Sequence, residues 1–176
     1  LNPYKRVDLV VKAFNDLGRP LVIIGDGPDR AVLQRMAKPN ITFLGRLPDP
    51  EVARYYARCR ALLFPGDEDF GIVPLEANAA GRPVIAYKAG GALDTVVDGE
   101  TGIFFCELTP ESLTEAVLRA EVTTWDSPAI RRHAEDFAEP HFRERFMRVV
   151  EATVERRLGA GATESLRNAL AAGLRA

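Results

Sequence analysis

Short apolar runs alternate with amphipathic segments along most of the chain. The apolar runs cover residues 21–24, 41–45, 61–64, 83–87 and 101–105, and each has the length and composition of a buried strand. Before the first run, apolar residues recur at helical spacing from Val7 to Leu17, and Gly18 follows as a helix stop. Because neighbouring parallel strands need a crossover helix between them, this alternation predicts an α/β fold. We expect a doubly wound, mainly parallel sheet with helices on both faces.

Helical periodicity dominates the chain after residue 105. It predicts a helix that begins near Thr109 and two more over about residues 129–137 and 141–158. From Gly159 onward, alanine, glycine and small polar residues replace the apolar periodicity, so we expect a domain over residues 1–157 and a tail over residues 158–176. Residues 1–5 have the composition of a loop that follows a strand. The domain is therefore expected to lack its first strand, upstream of Leu1.

The overall composition is that of an ordinary globular protein. Hydrophobic residues make up 47% and charged residues 27% of the chain, and the formal charge of −2 gives no electrostatic reason to expect a nucleic-acid partner. Cys59 and Cys106 are far apart, and neither has a second cysteine at metal-ligand spacing. Both are therefore predicted to be buried free thiols in a reducing compartment. No apolar run approaches the ~18 residues of a transmembrane helix.

Residues 64–81 form the most informative stretch of the sequence. Pro65 and Gly66 end the preceding strand. A helix is predicted from Ile72 onward, with Gly81 as its stop. The loop between strand and helix therefore leads into a helix N-terminus, where free backbone amides can bind a phosphate or a sugar hydroxyl.

Two glutamates belong to this stretch, Glu68 in the loop and Glu76 in the helix. Glu76 follows Ile72 by one helical turn, so its side chain lies over the turn nearest the loop and faces a ligand held there. A carboxylate in that place can accept two hydrogen bonds from the vicinal hydroxyls of a ribose. The alternative is that both glutamates are solvated surface acids.

The combination of Glu68, the Phe70-Gly71 pair and Glu76, between a strand and a helix of small residues, resembles the signature of the family-four retaining glycosyltransferases. The resemblance implies that Glu68 contacts hydroxyls of the donor sugar and has a catalytic role, and that Glu76 holds the ribose. It also implies that the backbone amides of Phe70, Gly71 and Ile72 contact the sugar and the phosphates.

Lys5 lies where this family has a phosphate-binding lysine, whose ammonium group neutralises the charge of a departing diphosphate. The alternative is a solvated lysine at a helix start. The family also has an arginine shortly before that lysine, at a position that would fall upstream of Leu1. Asp69 departs from the commonest form of the signature, which has a small residue there, and this variant resembles the branch that uses GDP-mannose.

Two further loops are candidate donor contacts. Gly45, Arg46 and Leu47 follow a strand at the carboxyl edge of the predicted sheet, where open parallel sheets bind their ligands. The resemblance implies that these residues contact the nucleotide base. Gly90 and Gly91 either lend backbone amides to the donor or serve only as a tight turn.

The resemblance implies that this chain is the donor-binding half of a two-domain glycosyltransferase with the GT-B fold. The full enzyme would transfer a hexose, by expectation mannose from GDP-mannose, to a glycan or lipid-linked acceptor, with retention and without a metal or other cofactor. Its partner would be an N-terminal acceptor domain, and its place would be the cytoplasm, at the inner face of the membrane. This chain alone is expected to transfer nothing. Two alternatives stay open: a non-catalytic module that binds a nucleotide sugar, and a doubly wound domain without a ligand.

Overall fold

The computed structural model describes residues 1–159, 161–164 and 167–168, and it contains the predicted alternation of strands and helices. The strands are β1 (Leu21–Ile24), β2 (Ile41–Gly45), β3 (Leu62–Phe64), β4 (Val84–Tyr87) and β5 (Gly102–Phe105). The helices are α1 (Val7–Leu17), α2 (Arg30–Met36), α3 (Asp49–Arg58), α4 (Ile72–Ala79), α5 (Ala92–Thr95), α6 (Pro110–Val122), α7 (Ser127–Glu135) and α8 (Glu139–Leu158). A 3-10 turn, Pro3–Lys5, precedes α1. The predicted helix stops at Gly18 and Gly81 are confirmed, with φ of 64° and 73°.

All strand pairs are parallel, which confirms the predicted α/β class, but the strands form two open sheets where the sequence predicted one. β1 pairs with β2, and β3, β4 and β5 pair in that order. The N-terminal segment contacts the loops that follow β1 and β3: the amide of Asp29 donates to the Leu1 carbonyl over 3.2 Å, and Gly66 approaches Lys5 closely. Whether a further strand precedes Leu1 stays a prediction.

Helices cover both faces of the three-stranded sheet, as the sequence predicted. Ile85 and Ile103 belong to a core that also contains residues of α1 and α6. Their neighbours along the strands, Val84, Ala86 and Phe104, belong to a second core with residues of α4 and α5. Because successive side chains of a strand point to opposite faces, these two cores lie on the two sides of the sheet.

The chain divides into two compact units, Leu1–Glu135 and Asp136–Ala176. The first contains both sheets and α1 to α7, and the second contains α8. The predicted boundary between residues 157 and 158 stays a prediction, and most of the predicted tail, residues 158–176, lies outside the described residues. Within the described part of the chain, no helix combines the length and the apolar composition that crossing a bilayer requires.

The prediction that both cysteines are buried is wrong. Cys59 is half-buried at the end of α3, whereas Cys106 is exposed. Cys106 is the first residue after β5, where the chain leaves the fully buried strand for a surface turn. The burial of the apolar run therefore ends with the strand and does not include Cys106.

We expect Cys106 to react with iodoacetamide about tenfold or more faster than Cys59. Burial raises the pKa of the Cys59 thiol and so lowers its fraction of reactive thiolate, while Cys106 is open to the reagent. Peptide mass spectrometry after timed alkylation measures both rates, and the urea-unfolded protein, in which the two thiols should react alike, is the control. Faster labelling of Cys59 in the folded protein would contradict the fold.

Candidate active site

The candidate site is built on the connection between β3 and α4. Gly71 adopts φ 76° and ψ 60°, a left-handed conformation that glycine reaches without a steric penalty, and it turns the chain into α4. Pro74 lies in the first turn of that helix, where its missing N–H leaves no hydrogen bond unmade. The amides at the start of α4 therefore face the loop over residues 65–71, which we call the acidic loop.

Lys5 and Glu68 lie 63 residues apart in sequence, and the structure brings them into direct contact. The Lys5 ammonium Nζ donates to Glu68 Oε1 over 2.6 Å, and both side chains are partly shielded from solvent. The backbones approach closely at Gly66, where a Cβ would lie 3.0 Å from the Lys5 Cα atom, a tight contact. The two residues that the sequence assigned to catalysis thus form one charged pair beside the N-terminus of α4.

Glu76 has a protein partner that the sequence analysis missed. The phenol of Tyr56, on α3, donates to Glu76 Oε2 over 3.0 Å. Burial, together with the charge of Glu76, raises the pKa of Tyr56 above its ordinary value, so the phenol stays protonated and remains a donor. No sequence pattern distinguishes Tyr56 from its neighbour Tyr55, because the contact depends on how α3 packs against α4.

Gly90 and Gly91 support the acidic loop from the turn between β4 and α5. The amide of Gly91 donates to the Glu68 carbonyl over 2.7 Å. A Cβ at Gly91 would overlap the backbone of Phe70, and one at Gly90 would overlap Asp67 and Glu68. The two glycines thus allow backbone to lie directly on backbone. Donor contact by these glycines stays a prediction, and in this conformation the Gly91 amide is engaged within the protein.

A depression of about 480 Å³ opens beside the acidic loop, and Lys5, Glu76, Gly90 and Gly91 are not among the residues that line it. It is lined by Tyr4 and by residues 67–73, so it includes Phe70, Gly71 and Ile72 of the predicted donor contacts. Its volume falls within the range of about 300–1,000 Å³ typical of small-molecule sites. Phe70 and Ile72 are 51% and 62% exposed, which leaves apolar surface for a ligand to cover.

The depression and its surroundings carry both negative and positive groups, and each suits a different part of a ligand. Asp67, Glu68 and Asp69 line it with carboxylates, which suit hydroxyl groups and repel phosphates. Lys5 Nζ, which also lies 5.3 Å from the centre of the Tyr4 ring, and the start of α4 supply the positive potential that an anion requires. The arrangement can therefore hold a ligand that combines hydroxyls with an anionic group.

Gly45, Arg46 and Leu47 lie at the carboxyl end of β2, in the other sheet. Among the described residues, these three do not line the depression, so the structure does not gather them with the acidic loop. Their contact with a nucleotide base stays a prediction. Over the same described residues, no group of three or more His, Cys, Asp or Glu side chains could hold a metal ion.

The sequence profile of one family, described as "Glycosyl transferases group 1", matches residues 1–132. A GDP-mannose-dependent alpha-(1-6)-phosphatidylinositol monomannoside mannosyltransferase of Mycolicibacterium smegmatis is 34% identical to this chain, over 66% of the chain and 35% of that protein. A GDP-mannose-dependent alpha-mannosyltransferase of the same organism is 39% identical, over 66% of the chain and 32% of that protein. The chain thus spans about a third of the length of these curated relatives.

The lipopolysaccharide outer core galactosyltransferase WaaB, solved in its apo form, is similar to this chain in structure. The TM-score is 0.74 over 85% of this chain and 46% of that one, at 21% sequence identity. At that identity the likeness establishes the fold alone, and it confirms the α/β fold of one half of a GT-B glycosyltransferase that the resemblance implied.

We expect Gly91→Ala to lower the free energy of unfolding by about 1–3 kcal/mol, the usual effect of an extra methyl group in a packed contact. The backbone of Gly91 already has helical angles, φ −64° and ψ −13°, so the effect comes from the overlap with Phe70 and not from conformational strain. Urea unfolding measures the loss, and faster amide hydrogen exchange in the acidic loop should accompany it.

Gly161→Ala is the matched control for this substitution. A Cβ at Gly161 meets no atom within 4 Å, so its free energy of unfolding should change by less than about 0.5 kcal/mol. Unchanged stability and unchanged exchange in Gly91→Ala would show that the glycine turn, the turn at Gly90 and Gly91 between β4 and α5, does not stabilise the acidic loop.

Proposed function

The chain belongs to the group 1 glycosyltransferases, and from this premise we propose that it is the donor-binding half of a retaining enzyme that transfers a hexose from a nucleotide diphosphate sugar. The observation that supports the proposal most directly is the contact between Lys5 and Glu68 beside the N-terminus of α4. Glu68 lines the depression together with the first residues of α4, and its carboxylate also holds the Lys5 ammonium. A nucleotide sugar presents the matching groups, a diphosphate next to a hydroxyl-bearing ring.

In the proposed reaction the bond between the anomeric carbon and the diphosphate breaks, the oxygen of the acceptor hydroxyl bonds to that carbon, and the hydroxyl proton passes to the leaving diphosphate. Negative charge develops on the leaving phosphate as the first bond breaks. Lys5 Nζ and the amides at the start of α4 stabilise that charge. Nζ contacts Glu68 Oε1, so the lysine is held in place by a protein partner. A preformed cation of this kind needs little rearrangement as the reaction proceeds.

The two glutamates take different parts of the donor. Glu68 uses the acceptor capacity that Lys5 leaves, above all Oε2, for hydroxyls of the sugar. Glu76, on the helix that follows the acidic loop, accepts the two hydroxyls of the ribose. The backbone amides of Phe70, Gly71 and Ile72 take sugar and phosphate oxygens, and Gly45, Arg46 and Leu47 contact the base once the nucleotide reaches the other sheet.

We propose GDP-mannose as the donor, because relatives at 34% and 39% identity carry GDP-mannose dependence in their names. The acceptor is a glycan or a lipid-linked sugar, held by a second domain, and the full enzyme works in the cytoplasm at the inner face of the membrane. No metal or other cofactor takes part in the proposed step. A nucleotide-sugar-binding module without transfer would use every contact described above, so only an assay of transfer separates the two functions.

Glu76→Gln should weaken binding of both GDP and GDP-mannose by about 1.5–3 kcal/mol, the usual contribution of a hydrogen bond to a charged group. Glu68→Gln should leave GDP affinity unchanged and reduce only the preference for GDP-mannose over GDP, because its partner is the sugar. Isothermal titration calorimetry with both ligands measures the two effects.

Glu115→Gln is the control, since Glu115 is an exposed glutamate of α6 away from the site. It should bind both ligands as the unchanged protein does. Equal losses for GDP and GDP-mannose in both site variants would reject the division of roles between the two glutamates.

This chain alone should bind the nucleotide sugar and transfer nothing to an acceptor. Transfer requires an acceptor hydroxyl held against the anomeric carbon, and such orientation supplies about 7–11 kcal/mol of barrier lowering in well-aligned systems. Mass spectrometry of incubations with GDP-mannose and lipid or oligosaccharide acceptors tests this, with donor hydrolysis followed in parallel. Robust transfer by the chain alone would show that the acceptor site lies within it. A full-length protein that binds donor but never transfers would favour the binding module.

A further inference from the structure

Tyr56, on α3, donates a hydrogen bond to Glu76, the residue that the proposed function assigns to the ribose. We propose that Tyr56 is a positioning residue that makes the site selective for ribose, because it holds the Glu76 carboxylate ready for the vicinal diol. The inference rests on the proposed function and adds to it the origin of the preference for a ribonucleotide over a nucleotide without the diol.

Glu76 needs such a partner because of where it lies. It is an exposed residue of α4, and a glutamate in contact with solvent samples several rotamers. Fixing those rotamers when a ligand binds costs conformational entropy. The hydrogen bond from the Tyr56 phenol to Oε2, at 3.0 Å, selects one arrangement in advance. Preorganisation of this kind increases affinity because the ordering cost is met before binding.

Tyr56 is itself held in place. Its ring is partly buried and packs against the core that contains Phe64 and Ala77, on the α4 side of the three-stranded sheet. The phenol remains a donor at any ordinary pH, since burial and the neighbouring carboxylate both raise its pKa and oppose its ionisation. A rigid, uncharged donor is suited to orienting a carboxylate without neutralising it.

The contact also leaves the carboxylate able to bind a diol. A carboxylate has about four acceptor positions on its two oxygens. The Tyr56 hydrogen bond takes one position on Oε2. The remaining positions are enough for the two hydroxyls of a ribose. Orientation by Tyr56 and recognition of the diol by Glu76 are therefore compatible at the same time.

The test compares GDP with 2′,3′-dideoxy-GDP, which lacks the diol. Tyr56→Phe removes only the hydroxyl and should weaken GDP binding about 3- to 10-fold while leaving dideoxy-GDP binding unchanged. Tyr55→Phe is the matched control: Tyr55 is the adjacent tyrosine of the same helix, 39% exposed, and its change should affect neither ligand. In a Glu76→Gln background, Tyr56→Phe should change GDP affinity by less than about twofold, since no carboxylate remains to be positioned.

The outcomes separate this inference from the proposed function. Equal weakening for GDP and dideoxy-GDP in Tyr56→Phe would show a purely structural bond between α3 and α4, and unchanged GDP affinity would show that Glu76 needs no positioning. Either result overturns the inference alone. If the unchanged protein binds GDP and dideoxy-GDP equally, the ribose assignment of Glu76 is wrong and the inference falls with it. If it binds neither, the proposed donor site is wrong. Far-UV circular dichroism and Tm establish that each variant is folded.

Discussion

The candidate site depends on backbone lying directly against backbone around the acidic loop. Gly66 lets the N-terminal turn approach one end of the loop, and Gly91 lets the β4–α5 turn lie under the other. Between these two contacts the Gly91 amide fixes the Glu68 carbonyl and Lys5 Nζ fixes the Glu68 carboxylate. Residues that are distant in sequence therefore determine where one side chain lies, and the absence of a Cβ atom at Gly91 is what allows the closer of the two contacts.

Both proposed donor-binding carboxylates follow the same design. Each has one oxygen engaged by a protein donor from a distant segment, Glu68 by Lys5 and Glu76 by Tyr56. Each keeps acceptor capacity for hydroxyl groups. The two donors differ in charge, and the difference fits the proposed binding mode, in which an ammonium stands near the diphosphate and a neutral phenol near the ribose. Anchoring through one oxygen converts flexible glutamates at the surface into oriented acceptors.

Local pattern and adjacency along the chain were enough to predict the elements of the fold. Apolar runs predicted the strands, glycines predicted the helix stops, and helix-forming residues from Ile72 onward predicted the helix that carries Glu76. Contacts between elements could not be predicted from local sequence pattern. The Tyr56 hydrogen bond needs α3 packed on α4, and the exposure of Cys106 depends on where β5 ends. The division into two sheets depends on which strands pair, and the apolar runs do not specify that pairing.

The glycine turn also sets a rule for recombination between related domains. The acidic loop packs so closely on the Gly90-Gly91 turn that a side chain at either glycine would overlap the loop. The two segments are therefore expected to be compatible only as a pair, although they are separate in sequence. In a chimera that combines the loop of one relative with the turn of another, a side chain at either glycine position would push the transplanted loop out of its place. Changes in donor selectivity are therefore expected to spread by joint replacement of both segments, and an engineer who moves one should move the other.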